Sequence, residues 1–132
     1  MIGIDTNILL RFLLDDEPTQ GAIARQFMSE RTTDDPAYVS AVVLAETIWL
    51  LNRRLGYSKP EIANVLAQLA QADEIVIEHS EELKLLTVDA SRPIADIADY
   101  LVVWAAANAG CAKTFTFDRK AARKIPGMEL LA

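Results

Sequence analysis

Asp5, Glu46, Asp99 and Asp118 are carboxylates in four different local settings, and together they have the character of a ligand set for a hard cation. Asp5 and Asp118 each follow a short predicted strand and precede a helical pattern. In parallel sheets that point, beyond the carboxyl end of a strand, is where ligands gather. An Asp between a strand and a helix also caps the helix, so a purely structural role stays open for both. Glu46 has Val42, Val43, Trp49 and Leu50 at three and four residues' distance, apolar company that predicts burial. Asp99 has Ala95, Val102 and Val103 at the same spacing, with Asp96 as its polar neighbour. For Asp96 the helix dipole is explanation enough, because it favours negative charge in a first turn. A buried carboxylate without a partner takes up a proton, so a cation or a firm hydrogen-bond donor is expected beside Glu46 and Asp99.

Gathered at one sheet edge, carboxylates roughly 4 to 8 Å apart repel by about 2 to 4 kcal/mol per pair at an effective dielectric near 20. Something positive is expected among them. The chain has one His, His79, and one Cys, Cys111, so the donors are hard oxygens, which select Mg²⁺ or Mn²⁺ over Zn²⁺. One or two ions are expected. Thr6 and Asn7 can steady the Asp5 carboxylate through side-chain and backbone hydrogen bonds. Arg11, in an otherwise apolar helix, asks for a phosphate or a carboxylate. Arg119, Lys120, Arg123 and Lys124 crowd the last acid; they form either a contact for a polyanionic substrate or an ordinary solvated face. Trp49, Trp104 and Phe117 could stack on bases, but their spacing places them in the core.

These side chains need a scaffold of alternating strands and helices. Met1-Ile2-Gly3-Ile4 reads as a short buried strand, followed by a helix over Thr6 to Leu14 and a second from Pro18 to about Glu30. Ala37 to Val39 is the next strand. Ser40 caps an apolar helix from about Val42 to Leu55, which Gly56 stops. Ser58 and Glu61 form a capping box for an amphipathic helix to about Ala72. Glu74 to Glu78 alternates like a strand, and a helix follows over about Glu81 to Ala90. After Ser91-Arg92-Pro93 a longer helix runs from about Ala95 to Asn108, with Gly110 as its stop. Lys113 to Phe117 is a strand, Asp118 to Lys124 a short helix, and Met128 to Leu131 the last strand after a Pro126-Gly127 turn. The alternation predicts an α/β three-layer sandwich: a central, mainly parallel sheet of about four or five short strands flanked by helices.

The length of 132 residues and 52% hydrophobic composition suit a single domain over residues 1–132. A net charge of -6 argues against a protein that holds nucleic acid simply by being basic. A lone cysteine suits a reducing compartment. No basic segment followed by an apolar run opens the chain, and its longest apolar stretch, Tyr100 to Ala107, is far short of the roughly 20 residues a membrane helix needs. A cytoplasmic location without membrane attachment is expected.

Asp5-Thr6-Asn7 after an opening strand, SAVVLAE over Ser40 to Glu46, ADIADYL over Ala95 to Leu101, and Thr116-Phe117-Asp118 resemble, in order and spacing, the four acidic motifs of PIN domains. The nearest likeness is to the VapC-type toxins of prokaryotic toxin–antitoxin pairs. The resemblance implies that Asp5, Glu46, Asp99 and Asp118 bind metal, with Asn7 and Thr116 in support; Asp96, sharing a helix face with Asp99, is expected as an outer partner on its position alone. It further implies an endoribonuclease cutting structured RNA such as tRNA or ribosomal RNA, often as a homodimer, and silenced by a cognate antitoxin. Arg11, Arg119 and Lys120 would then touch the RNA. Two other classes remain: an aspartyl-phosphate phosphotransferase or phosphatase using Asp5 as nucleophile, against which Asn7 speaks, and a non-catalytic protein-binding module in which the acids only cap helices.

Overall fold

The computed structural model describes residues 1–87 and 96–132. Contacts divide the chain into two compact units, Met1–Asp89 and Ala90–Ala132.

The first unit runs β1 (Ile2–Gly3), α1 (Thr6–Leu13), α2 (Pro18–Ser29), β2 (Ala37–Val39), α3 (Ala41–Arg53), α4 (Lys59–Gln71), β3 (Ile75–Ile77) and α5 (Ser80–Thr87). Its strands form a parallel sheet in the order β1-β2-β3, with Ile2 opposite Ala37 and Ala37 opposite Ile75. Parallel neighbours can be joined only by crossovers. Here α1 and α2 supply the first, α3 and α4 the second. The central strand β2 buries Ala37 and Val39 completely, and Leu9, Leu44, Leu51, Leu66 and Leu83 bring one helix each, or two turns of α3, into the same core. Each such Leu contributes roughly 2 kcal/mol through burial. The opening strand departs from the expectation of burial: β1 is an edge strand, Ile2 is 40% exposed, and burial begins at Ile4.

Local signals set the helix ends. The Ser40 hydroxyl accepts the Val43 N–H at 3.2 Å, and α3 stops where Gly56 turns to φ +71° and the Tyr57 N–H reaches back to the Leu51 carbonyl at 2.9 Å. The capping box of α4 is complete: Ser58 Oγ accepts from the Glu61 N–H and Glu61 Oε1 from the Ser58 N–H. Hydrogen bonding to the carboxyl from the Ser58 backbone N–H, and then from the Ser58 side chain, holds Glu61 below its ordinary range.

The second unit runs α6 (Ile97–Asn108), β4 (Thr114–Thr116), α7 (Arg119–Lys124) and β5 (Met128–Leu130). β4 and β5 are parallel, with Thr114 opposite Met128, and α7 is their crossover. Val103, Ala121 and Ile125 form the core, with Tyr100 and Met128 against it. Gly127 is required twice over: its φ is +93°, and a Cβ there would meet Val103 Cγ1 at 2.8 Å.

Every strand pairing among the described residues is parallel, and one or two helices lie between successive strands, so the chain is of the expected α/β class. The five strands are hydrogen-bonded as a set of three and a set of two, each set completed by crossovers inside its own unit. The expected helix end near Ala90, the Ser91-Arg92-Pro93 break and the expected helix start at Ala95 lie outside the described residues. Among the described residues no helix is long and apolar enough to cross a membrane.

Candidate functional site

Asp5 stands between β1 and α1 and caps the helix: its Oδ1 accepts the Ile8 N–H at 3.0 Å. Ile8, rather than Thr6 or Asn7, therefore steadies this carboxylate, while Thr6 is buried and Asn7 exposed. Among the described residues Oδ2 of Asp5 accepts no hydrogen bond, so a capping Asp still has one oxygen to offer a cation. Arg11 has a carboxylate partner within the chain: Nη1 lies 3.4 Å from Asp16 Oδ1, and Nε donates to Gln20 Oε1 at 3.0 Å. Asp5, Asn7 and Arg11, with Gln20, Ile23 and Phe27 from α2, line a cavity of about 340 Å³.

Glu46 overturns the argument from its neighbours. It is exposed, and so are two of the apolar residues flanking it, Val42 at 78% and Trp49 at 56%. The buried face of α3 carries Leu44, Thr47 and Leu51 instead. Thr47 sits there without penalty because its hydroxyl donates to the Val43 carbonyl at 2.7 Å. Val43 and Leu50 are only half-buried, so the stripe around Glu46 is not the core face of α3, and Trp49 is no core residue.

A carboxylate that the sequence reading passed over stands at the end of β3. Glu78 Oε1 accepts the Ala41 N–H, the first of α3, at 2.9 Å, and Oε2 lies 3.6 Å from Nε2 of the buried His79. Burial, and then the charge and hydrogen bond of Glu78, raise the Tyr38 hydroxyl above its ordinary pKa. The strand-end rule that singled out Asp5 and Asp118 points equally to Glu78.

In the second unit Asp96 is the N-cap of α6, its Oδ1 accepting the Ala98 N–H at 3.0 Å. Asp99, one turn in, is half-buried. Burial raises its pKa above the ordinary 3.8, and the charges of Asp96 and Asp118 add to the rise. The three acids thus share one electrostatic neighbourhood. Asp118 caps α7 through Oδ1, which accepts from the Lys120 and Ala121 N–H groups at 2.9 and 3.0 Å, while its own N–H donates to Thr116 Oγ1 at 3.0 Å. Thr116 thereby fixes the turn into α7. Arg119, Lys120, Arg123 and Lys124 are all exposed on α7, and among the described residues none of them is in an ion pair. Phe117 is exposed rather than core, and the half-buried Trp104 packs tilted against Tyr100 at 5.6 Å between ring centroids.

Asp5 and Glu46 belong to the first unit, Asp99 and Asp118 to the second. Among the described residues, neither unit by itself groups three His, Cys, Asp or Glu side chains to hold a metal ion. The donor chemistry nonetheless fits a hard divalent cation: the acids are all carboxylates, and a cation would offset both the burial and the neighbouring charges that raise Asp99.

Comparison with known families gives one match, to the family described as PIN domain, over residues 2–126. No curated protein matches the chain.

Proposed function

The chain belongs to the PIN domain family, whose members are generally metal-dependent nucleases acting on RNA or DNA, and from that premise we propose that it is an endoribonuclease hydrolysing RNA phosphodiester bonds. The observation that carries the reading is the extent of the match, residues 2–126, which takes in all four candidate acids. Residues 1–132 act as a single domain in this reading. Asp5, Glu46 and Asp99 hold one or two Mg²⁺ or Mn²⁺ ions, and Asp118 binds a second ion or positions the attacking water. Bound there, the ion lowers the pKa of water and neutralises charge on the scissile phosphate. Asp5 and Asp118 suit their roles because each spends one carboxylate oxygen on its helix cap and keeps the other for water or cation. Arg119 and Lys120, exposed on α7, draw the phosphates in, as charge-assisted contacts from unpaired cations do. Arg11, already paired with Asp16, is an RNA contact only if it exchanges that partner. Thr6, Asn7, Asp96 and Thr116 act as supporting residues around the acids, although the bond to the Asp5 carboxylate itself comes from the Ile8 N–H.

The likeness of the four motifs to VapC-type toxins supports a finer placement: a cytoplasmic toxin acting on tRNA or ribosomal RNA, working as a homodimer and held inactive by a cognate antitoxin. Family membership favours a nuclease over phosphotransfer at Asp5 and over a non-catalytic binding module. Incubating total RNA with the purified chain and Mn²⁺, Mg²⁺ or chelator, beside Asp5→Asn, tests the reaction. Discrete fragments are expected only with metal and only from the unsubstituted chain. Intact RNA in every lane refutes the nuclease reading.

A further inference from the structure

The cavity between α1 and α2 shares Asp5, Asn7 and Arg11 with the chemistry above, and its remaining lining, which that chemistry does not use, has the character of a binding site. Ile23 and Phe27 give it an apolar face. The Phe27 ring is held in place: the guanidinium of Arg31 lies 4.5 Å from its centroid, and Arg31 in turn donates to the Phe27 carbonyl at 3.3 Å and pairs with Asp35 at 3.0 Å. A ring fixed in this way loses little entropy when a flat ligand stacks on it. Opposite in character, Asn7, Arg11 and Gln20 line the cavity with hydrogen-bonding groups. Gln20 is oriented, because its Oε1 accepts from Arg11 Nε, and its amide N–H₂ therefore remains a donor pair for an acceptor on a ligand.

Charge narrows the choice of ligand. The Arg11 cation is met by Asp16, and the Asp5 carboxylate borders the cavity, so an anion is not what this lining selects. A neutral heterocycle, apolar on its faces and hydrogen-bonding along its edge, matches it: a nucleobase. The volume of about 340 Å³ lies at the lower end of the roughly 300 to 1,000 Å³ typical of small-ligand sites, a size that takes one nucleoside.

We propose that this cavity is a nucleobase subsite that receives the base of an unpaired RNA nucleotide next to the scissile phosphate, with Gln20 and Phe27 as specificity-determining residues. Its place in cleavage rests on the nuclease reading; base binding rests on the cavity alone. Because Asp5 borders it, a base seated there puts its own backbone beside the candidate metal ligand. Selection of the base by Gln20 then decides which phosphodiester is presented.

The test titrates the isotope-labelled full chain, in chelator, with each of the four ribonucleosides, which carry no phosphate, and follows chemical shifts. A second arm sequences the ends of RNA cut by the wild type, Gln20→Leu and Ile23→Trp. Ile23 is 65% exposed, so a larger side chain there narrows the cavity without disturbing the core. Shifts at Ile23, Phe27 and the Gln20 amide are expected, weakened by Ile23→Trp. In Gln20→Leu the preference for one base beside the cut should relax by about ten-fold, with metal binding unchanged. Absence of nucleoside shifts at these residues, or an unaltered cut-site preference in Gln20→Leu, overturns the proposal. So do shifts produced only by a basic amphipathic peptide, which would make the cavity a protein-docking site. Nucleoside shifts with RNA left uncut by the wild type support base binding and overturn the nuclease reading.

Discussion

Burial and the neighbouring charges of Asp96 and Asp118 raise the Asp99 carboxyl above its ordinary 3.8, so the folded chain holds this proton more tightly than the unfolded one. The stability this contributes is present below 3.8 and is lost as pH rises through the raised value. At neutral pH, without metal, the ionised Asp99 is therefore a burden on the fold, and Asp99→Asn should raise the Tm by roughly 2 °C. The gain should fade as the solution is acidified toward the ordinary carboxylate pKa. A calorimetric pH series in chelator checks it; a variant less stable at pH 7 would mean that the carboxylate has a stabilising partner. At Asp5 structure and chemistry can be separated by choice of substitution. Asn caps a helix about as well as Asp, whereas Ala forfeits roughly 1 kcal/mol. Asp5→Asn should thus keep the bond from the Ile8 N–H and the stability, and Asp5→Ala should lose both. Each should cut less RNA by more than about 100-fold, since even the outer partners of metal ligands cost 10- to 100-fold when removed. Denaturation curves beside cleavage rates distinguish a cap from a ligand.

Among the elements, α3 depends on a residue from outside itself. Ser40 caps it locally, but the Ala41 N–H is satisfied by Glu78 at the end of β3, which ties the start of the helix to the sheet. Glu78→Ala should cost about 1 kcal/mol and speed hydrogen exchange at Ala41, while Glu78→Gln, which keeps an acceptor oxygen, should lose much less. Equal losses in the two variants would assign the effect to charge rather than to the tether. The extent of α3 was legible in the sequence because Ser40 and Gly56 act on the backbone next to them, and the same holds for the Ser58 and Glu61 box of α4. Its inward face was not. Val42, Val43, Trp49 and Leu50 made a burial stripe as plausible as the true one, and only packing against α1 and α4 selects Leu44, Thr47 and Leu51. Asp99 was read correctly as partly withdrawn from water, with Asp96 beside it, because both lie in one helix start. Glu78 and Gln20 escaped notice for the opposite reason: their partners, Ala41 and Arg11, lie 37 and 9 residues away, and no local pattern marks them.

For the whole molecule the balance of charge matters most. At -6 overall the chain repels nucleic acid at long range, so in the proposed nuclease the approach of RNA would be steered by local cations and by a metal ion held at the acids. Four of the 13 Lys and Arg residues fall within the six residues of α7, next to Asp118. Metal has a second consequence at this scale, because the candidate ligands are divided between Met1–Asp89 and Ala90–Ala132. A ligand that binds only the folded chain stabilises it by about 2.7 kcal/mol at a hundred times its Kd. If Asp5 and Asp99 serve the same ion, Asp5→Asn alone and Asp99→Asn alone should each remove most of the Tm rise produced by Mn²⁺. The double variant should then lose little more, a non-additivity characteristic of residues that act as a unit. Losses that simply add would mean two independent ions, one for each unit. The measurement is a thermal melt of the wild type, both single variants and the double variant across an Mn²⁺ titration, with each chelated sample as its own baseline, so that the effect of Asp99→Asn on the metal-free fold cancels.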